Sequence, residues 1–429
     1  MDISRNTALN ILIEYDKSGS FPNLSLKKHL RSVVSERDRA FSSAIVYGVI
    51  EKKFLLDYYI SRVSSVKIKK INTVVLNILR MGLYQIIFMS TPESAACNTS
   101  VDLAKKNGQI KSAAFVNAIL RKLAKTYKEI DVESDSMLSV KHSVGDCVFN
   151  VLVNTFGIDG FVDYITSDID KSIYIAVNTC KICSSDLIKL LSIEGVCCET
   201  TTFDGLLKIK GALSVEESSA FKSGLYHIIG LPSYLAARAL SPRSSEVIYD
   251  MCSAPGGKTF AIAYMSNDKG KITAFDIHEH KILNLKRDLS RLSLRSVTPV
   301  LCDSSENNKK FYGSADKVLC DVPCSGIGML HKKPDIKYNT IDFASLTNVQ
   351  YSILCNAAMY LKSGGRLVYS TCTVNPDEND RIVDRFISEN SNFSIDNNVE
   401  IYNGNFGTHT FLPQIDKTDG FYIAVLKKD

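Results

Sequence analysis

Residues 246–265 read EVIYDMCSAPGGKTFAIAYM, and this stretch decides the fold class. A short apolar run, Glu246–Met251, is followed by two glycines and then by the apolar segment Lys258–Met265. Strand, glycine turn and helix in this order predict the first unit of a doubly wound α/β domain. Gly256 and Gly257 allow the backbone to approach a bound ligand, and the start of the helix favours negative charge.

Strand–helix alternation continues downstream of this turn. Short apolar runs predict strands at Lys271–Phe275, Val297–Leu301, Lys317–Leu319 and Arg366–Tyr369. Longer segments predict helices at His280–Leu292, Leu346–Leu361 and Arg381–Ile387. Such alternation is typical of a Rossmann-like parallel sheet that is covered by helices on both faces. Two strand-like runs on either side of Lys417–Gly420 predict an additional hairpin.

Residues 1–130 have a different pattern, in which apolar residues recur at helical spacing. The segment Ile71–Phe88 carries a broad apolar stripe that suits a central buried helix, and Ala113–Leu123 is a last amphipathic helix. Residues 131–240 begin with a polar stretch and contain short apolar runs that predict strands among short helices. We therefore expect an all-α region at 1–130, a linker and small α+β region at 131–240, and an α/β doubly wound region at 241–429.

The net charge of +5 is unevenly distributed along the chain. Residues 1–130 hold 21 Lys and Arg against 10 Asp and Glu, residues 131–240 hold 8 against 14, and residues 241–429 hold 22 against 22. The positive excess is confined to the helical region, a pattern that favours a polyanion as the partner. A lysine face that serves only solubility is the alternative.

The composition argues against a membrane protein and against an exported protein. No apolar run approaches the roughly 18–20 residues that a membrane helix needs, and Met1–Arg5 is not followed by the apolar core of a signal peptide. We therefore expect a cytoplasmic protein without membrane contact, whose twelve cysteines are reduced. Cys180 and Cys183 with Cys197 and Cys198 have no histidine nearby, so buried thiols are favoured over zinc and no metal is expected.

The glycine turn predicts a nucleoside-type ligand. No glycine stands where a phosphate-binding loop requires its first one, so a triphosphate cradle is not expected. Asp276 follows the next predicted strand, twenty residues after Gly256, which matches the ribose-binding acid of doubly wound folds. A helix cap is the alternative for Asp276. Asp303, after the third strand, is a candidate for contact with an adenine edge.

Two cysteines each follow a predicted strand directly. Cys324 lies in the segment DVPCSG, residues 321–326, and Cys372 lies in YSTCT, residues 369–373. Because ligands gather at the carboxyl ends of strands in a doubly wound sheet, both thiols are expected to face the ligand crevice. A thiol has an ordinary pKa of about 8.5 and needs a favourable site to become nucleophilic, and Lys258 is a candidate source of positive charge. Covalent chemistry beside a cofactor is favoured over a redox pair of thiols.

The motifs taken together resemble a known family. The segments DMCSAPGGKT, DVPCSGIG and YSTCTVNPDEN, at residues 250–259, 321–328 and 369–379, resemble the RNA cytosine-C5 methyltransferases that use S-adenosylmethionine. The segments RDRAF, LRMGLYQ and VNAILR, which begin at residues 37, 79 and 116, are similar to NusB-like helical domains. The combination resembles the Sun/Fmu (RsmB-type) family of small-subunit rRNA enzymes.

The resemblance implies a role for each matching position. Cys372 would attack C6 of cytosine, Cys324 would assist release of the methylated base, and Asp321 would contact the target base or the reactive end of the cofactor. The residues implied in S-adenosylmethionine binding are Cys252, Ser253, Ala254, Pro255, Gly256, Gly257, Lys258, Asp276 at the ribose, Asp303 near adenine, and Asp321.

The resemblance thus implies a monomeric 16S rRNA (cytosine-C5) methyltransferase. Its NusB-like helical region at residues 1–130 would hold ribosomal RNA through phosphate contacts, which position but do not specify. Two alternatives stay open. One is a tRNA cytosine-C5 methyltransferase, and the other is a non-catalytic NusB-like factor of ribosome assembly or antitermination.

Overall fold

The computed structural model describes residues 2–18, 22–30, 33, 35–210 and 215–429 of the chain. Contacts divide the chain into two compact units, one of Met1–Asn154 with Lys332–Thr340 and the other of Thr155–His331 with Ile341–Asp429. The first unit therefore includes a nine-residue segment that lies far downstream in the chain. The predicted domain division at residues 130 and 240 stays a prediction.

The described part of the first unit is helical. Its helices are α1 (Ile3–Ser18), α2 (Pro22–Leu30), α3 (Glu36–Glu51), α4 (Lys53–Val63), α5 (Thr73–Phe88), α6 (Glu93–Lys106), α7 (Ala113–Thr126) and α8 (Leu138–Lys141). Helix α9 spans Asp146–Thr166, and its backbone leaves the helical conformation at Gly157.

Helix α5 is the centre of this unit, as its broad apolar stripe predicts. It begins after Asn72, whose side chain accepts a hydrogen bond from the Val74 backbone N–H. It packs against α1, α3, α4, α6 and α7, and Ile78 and Leu79 are fully buried in the shared core. A helix that is apolar on most of its circumference is stable only when other helices surround it.

A buried arginine is fully compensated within this core. Arg80, on α5, is 4% exposed, and its guanidinium lies 2.7 Å from the carboxylates of both Asp16 and Asp57. Paired carboxylates raise the pKa of Arg80 against the opposing effect of burial. Removal of Arg80 would leave these two carboxylates without their shared partner, which is strongly destabilising.

The second unit begins at Thr155, within α9, and its first sheet is a small antiparallel one in the order β2-β3-β1-β4 among the described residues. The strands are β1 (Ile173–Val177), β2 (Cys197–Thr200), β3 (Leu206–Lys210) and β4 (Tyr226–Ile228). The associated helices are α10 (Ser184–Ile193), α11 (Ser219–Lys222) and α12 (Leu231–Ala239).

The main sheet of the second unit has the order β10-β14-β9-β8-β5-β6-β7, with β13 paired to β14. Its strands are β5 (Val247–Asp250), β6 (Lys271–Asp276), β7 (Val297–Leu301), β8 (Ala315–Asp321), β9 (Leu361–Thr371), β10 (Phe393–Ile395), β13 (Thr408–Phe411) and β14 (Phe421–Lys428), and β11 (Glu400–Tyr402) and β12 (Asn405–Phe406) pair separately. Strands β5 to β9 are parallel, and β14 is antiparallel to both β9 and β10. The predicted hairpin is the β13–β14 pair, whose connection contains a short helix, α17 (Pro413–Asp416).

Helices cover both faces of this sheet. They are α13 (Gly257–Met265), α14 (Glu279–Leu292), α15 (Phe343–Tyr360) and α16 (Asp380–Glu389). Consecutive residues of β5 point to opposite faces, so Ile248 packs in one core with α12–α14 while Tyr249 packs in the other with α15 and α16. The predicted fold class is confirmed: a helical region is followed by an α/β domain built on a mixed sheet.

Candidate active site

A cavity of about 430 Å³ opens where the parallel strands of the second unit end. The residue that directly follows each of β5 to β9 lines it: Met251, Ile277, Cys302, Val322 and Cys372. Its other lining residues are Cys252, Ala254, Asp276, His278, Lys281, Asp303, Ser304, Ser305, Asp321, Pro323, Cys324, Val349 and Ile353. The fold thus brings Cys252, Ala254, Asp276, Asp303, Asp321, Cys324 and Cys372 together at the edge where a doubly wound sheet binds ligands.

The glycine turn connects β5 to α13 along one side of this cavity. Gly256 has φ +112, and a Cβ atom there would lie 2.4 Å from the Phe260 ring and 2.5 Å from Leu285. Both the conformation and the close approach require glycine at this position. Ser253 is bonded to the Phe275 carbonyl through its N–H and its hydroxyl, so it fixes the loop on β6 and does not line the cavity.

The buried carboxylate of Asp250 holds the start of α13 through a hydrogen bond. The Thr259 hydroxyl donates to Asp250 Oδ2 at 2.6 Å, and Asp250 is 1% exposed. Its Oδ1 has no hydrogen-bond partner within the part of the chain that the structure describes. Burial raises the pKa of Asp250 from 3.8 to about 7, because the charged form loses its hydration.

Asp276 and Asp303 line the cavity and also bond to main-chain groups. Asp276 Oδ1 accepts from the His278 N–H at 2.9 Å, and its Oδ2 accepts from the Ala254 N–H at 3.3 Å. Asp303 Oδ1 accepts from both the N–H and the hydroxyl of Ser305. Asp276 therefore orders the turn before α14 and also faces the cavity. It does not cap the helix, because the N-cap of α14 is His278 and no side chain bonds to the first turn there. Two carboxylates beside apolar walls suit the hydroxyl and amino groups of an adenosine moiety.

Lys258 reaches across the glycine turn to Asp321 at the end of β8. Its Nζ lies 2.6 Å from Asp321 Oδ2 and 5.2 Å from the centre of the Phe421 ring. The Ser370 hydroxyl donates to the other carboxylate oxygen, Oδ1, at 2.8 Å. Two partners from different elements therefore fix the plane of the Asp321 carboxylate.

The two thiols predicted to face the crevice lie in contact. The sulfur atoms of Cys324 and Cys372 are 3.1 Å apart, and the Cys372 N–H donates to the Cys324 sulfur at 3.2 Å. The hydrogen bond with Cys372, together with burial, raises the pKa of Cys324 well above its ordinary value, so this thiol keeps its proton at neutral pH. Cys324 and Cys372 are both partly exposed, and both line the cavity.

Several lining residues had no signal in the sequence reasoning. Ile277, His278, Ser304 and Ser305 each lie within two residues of Asp276 or Asp303. The rule that strand ends carry ligand-binding residues extends to these neighbours and could have found them. Val349 and Ile353 lie one turn apart on α15. Their identification as lining residues requires knowledge of where this helix packs.

The cysteines considered above for a zinc site are separate from this cavity. Cys180, Cys183, Cys197 and Cys198 are free thiols of the middle segment. The described ranges contain no group of three or more His, Cys, Asp or Glu side chains that could hold a metal ion. Among those same residues, no helix combines the length and apolar character required to cross a lipid bilayer.

Comparison with known families matches most of the chain. The family model described as 16S rRNA methyltransferase RsmB/F matches residues 237–427, and the NusB family model matches residues 2–125. The chain is 31% identical to the probable ribosomal RNA small subunit methyltransferase B of Bacillus subtilis, over 99% of this chain and 98% of that protein. It is 28% identical to a mouse 28S rRNA (cytosine-C(5))-methyltransferase, over 68% of this chain and 40% of that protein.

A solved structure shares the whole architecture. The crystal structure of PH0851 superimposes with a TM-score of 0.84 at 24% identity and covers 99% of both chains. At this identity the likeness shows the fold alone. The cavity described above therefore lies in a fold that a distant protein also adopts over its full length.

Proposed function

Since the chain belongs to the RsmB/F family of 16S rRNA methyltransferases and carries a NusB-family region, we propose that it methylates C5 of a cytosine in small-subunit rRNA through a covalent bond to Cys372. The family assignment makes the chain an S-adenosylmethionine-dependent rRNA methyltransferase. The target atom, the 16S substrate and the roles of individual residues are the proposal.

The observation that carries the proposal is the contact between the Cys324 and Cys372 sulfurs, beside Asp321, in an open cavity. C5 of cytosine is a weak nucleophile, and addition of a thiolate at C6 makes it electron-rich. Both sulfur atoms line the cavity. The attack is assigned to Cys372 because the YSTCT segment resembles that of the RNA enzymes and because Cys324 keeps its proton. Formation of its bond to C6 is followed by methyl transfer to C5, loss of the C5 proton and breakage of the bond between C6 and sulfur.

Cys324 and Asp321 assist this sequence. Cys324 keeps its proton, and its sulfur is within hydrogen-bond reach of Cys372. It can therefore donate to the Cys372 sulfur as that sulfur leaves C6. Asp321, held by Lys258 and Ser370, presents a carboxylate to the reacting base or to the donor.

The residues of the glycine turn and of the next two strand ends fit the cofactor. Bound S-adenosylmethionine supplies an electrophilic methyl group on a sulfonium. Asp276 would accept hydrogen bonds from the ribose hydroxyls and Asp303 would contact the adenine end, and both line the cavity. Gly256 would hold the turn in the positive-φ conformation that favours glycine. Cys252 and Ala254 line the same cavity, whereas Ser253, Pro255, Gly257 and Lys258 act by shaping the loop.

We assign RNA binding to the helical unit. Its net positive charge matches phosphate contacts, which give affinity without sequence specificity. The target cytosine must leave its stack to reach a thiol, because both faces of a stacked base are covered.

Purified full-length protein with labelled S-adenosylmethionine tests the proposal. We expect label in small-subunit rRNA but not in tRNA, with 5-methylcytosine detected by bisulfite sequencing. Cys372→Ala should abolish transfer while binding of the cofactor persists, and Cys324→Ala should accumulate a covalent protein–RNA adduct. Labelling of tRNA would favour the tRNA enzyme, and absence of label in either RNA would favour the non-catalytic factor.

A further inference from the structure

We infer that Glu378 is a positioning residue that holds the Cys324 loop against Cys372 and thereby controls release of the methylated RNA. Glu378 lies outside the cavity, and nothing in the mechanism proposed above uses it. The inference rests on the proposed function, because release presupposes the adduct on Cys372.

Glu378 is a fully buried carboxylate with donors around both oxygens. Oε2 accepts from the Ser325 N–H at 2.8 Å and from Gln350 Nε2 at 3.0 Å. Oε1 accepts from Asn375 Nδ2 at 3.1 Å and from the Thr373 hydroxyl at 3.3 Å. An ionised carboxylate only accepts hydrogen bonds, so its chemistry matches a pocket that only donates.

Two of these donors lie next to the two thiols in the sequence. Ser325 directly follows Cys324, and Thr373 directly follows Cys372. The Ser325 hydroxyl also donates to the Thr373 hydroxyl at 2.8 Å. One carboxylate therefore ties the loop after β8 to the loop after β9 at the positions next to the two sulfur atoms.

Glu378 is connected to both sides of Cys324, directly on one side and through Gln350 on the other. Gln350 Nε2, which donates to Glu378, also donates to the carbonyl of Pro323, the residue before Cys324. The N–H of the residue after Cys324 binds the carboxylate directly. Without the carboxylate, the restraints on both flanks of Cys324 weaken together.

The Cys372 loop has supports that do not pass through Glu378. Asn379 Nδ2 donates to the Thr373 carbonyl at 3.0 Å. The Thr371 hydroxyl donates to Asn379 Oδ1 at 2.6 Å, at the end of β9. Loss of the Glu378 charge should therefore displace Cys324 more than Cys372.

This asymmetry between the two loops should affect release of the product more than the attack on the base. Attack needs only the Cys372 sulfur near C6. In release, the C5 proton leaves, its electron pair forms the C5–C6 double bond, and the electron pair of the bond between C6 and sulfur returns to Cys372. A hydrogen bond from the Cys324 thiol to that departing sulfur assists this step and requires the 3.1 Å contact.

Glu378→Gln tests the inference with little change in shape. The amide places an NH₂ group against neighbouring donors on one side, which leaves those donors unsatisfied. With full-length enzyme and small-subunit rRNA, we expect at least about tenfold more covalent adduct at steady state than in the unmodified enzyme, as the loss of hydrogen bonds to a charged group predicts. The rate of the first methyl transfer should stay within about threefold.

Asp377→Asn is the matched control, because Asp377 precedes Glu378, is exposed and pairs with Arg381 on the surface. It should not accumulate adduct. If Glu378→Gln does not fold, Gln350→Met removes one donor from the same pocket and should give the same kinetic pattern. The double variant Cys324→Ala with Glu378→Gln should release no more slowly than Cys324→Ala alone.

The outcomes distinguish the inference from the proposed function. Adduct in Cys324→Ala but none above the control in Glu378→Gln and Gln350→Met would overturn the role of Glu378 and leave the function standing. An equal loss of first methyl transfer and release would also overturn it, since that pattern is general disruption of the site. Absence of adduct even in Cys324→Ala would overturn the assigned chemistry, and the inference with it.

Discussion

The Lys258 ammonium lies 2.6 Å from the Asp321 carboxylate, so the glycine turn after β5 is tied to the end of the neighbouring strand β8. The two residues are far apart in the sequence, and strand order brings them together. Lys258 is 12% exposed at its side chain and Asp321 29%, so the pair is partly shielded from water at the cavity wall. A pair in this environment is expected to act as one unit.

Lys258→Met should lower the single-turnover rate of methyl transfer by more than tenfold, because Asp321 then lacks the partner that fixes its carboxylate plane. Asp321→Asn should lower it by a similar factor. Residues in contact show coupling of about 0.5–3 kcal/mol in double-mutant cycles, so the double variant should be little worse than either single one. Rate losses that simply multiply would refute a joint role.

Asp276→Asn should weaken binding of S-adenosylmethionine at least tenfold, as measured by calorimetry. The amide retains an acceptor for the His278 N–H but loses one oxygen and the charge that favour the ribose hydroxyls. Asp288→Asn is the control, because Asp288 lies on α14 and pairs with Arg291 away from the cavity. Equal affinity for the cofactor in both variants would show that Asp276 does not contribute to cofactor binding.

Asp250 should make the second unit less stable as pH rises from about 4 to about 7. The pKa of Asp250 is raised on folding from 3.8 to about 7, so the folded state binds the proton more tightly than the unfolded state. The stabilisation from the bound proton is complete below pH 3.8 and is lost as pH approaches 7. One pKa unit corresponds to 1.36 kcal/mol, so the change is at most about 4 kcal/mol.

Asp250→Asn isolates this effect, because the amide resembles the protonated acid and still accepts from Thr259. Thermal unfolding of both proteins should show the variant to be the more stable at pH 8, with an advantage that shrinks towards pH 5. A constant difference between pH 5 and pH 8 would mean that Asp250 does not titrate in this range.

Lysines of the helical unit should determine the salt dependence of RNA binding. Lys105, Lys111 and Lys122 are exposed on α6, the turn after it, and α7. Their joint replacement by glutamate should reduce the slope of log K against log salt by about 2, at about 0.7 per lost contact with single-stranded RNA. Replacement of Lys171, Lys189 and Lys222, exposed in the acidic middle segment, should change the slope less. Equal effects would favour a solvated lysine face.

The sequence predicts which residues share one edge of the sheet wherever the ends of the strands decide it. Strand positions were predicted from apolar runs, and parallel strands place their carboxyl ends at one edge. Cys324 and Cys372 were therefore expected at the same crevice, and they lie there, as do Asp276 and Asp303. The extra hairpin was also predicted from the turn at Lys417–Gly420.

Contacts between distant segments could not be read from the sequence. The Lys258–Asp321 pair depends on β8 lying beside β5, and local pattern does not fix strand order. The carboxylate of Glu378 has a partner on α15, whose packing position has no local signal. Residues 332–340 lie within the predicted methyltransferase region, yet they belong to the helical unit. There the Tyr338 hydroxyl donates to the Ile50 carbonyl at 2.6 Å.

Strand β14 completes the sheet late in biosynthesis. It pairs with both β9 and β10, so the edge of β9 has no neighbour in a nascent chain that has not reached residue 421. Unpaired edges are sites of aggregation. The ribosome therefore makes the cofactor loop and both thiols well before it makes the strand that closes their sheet.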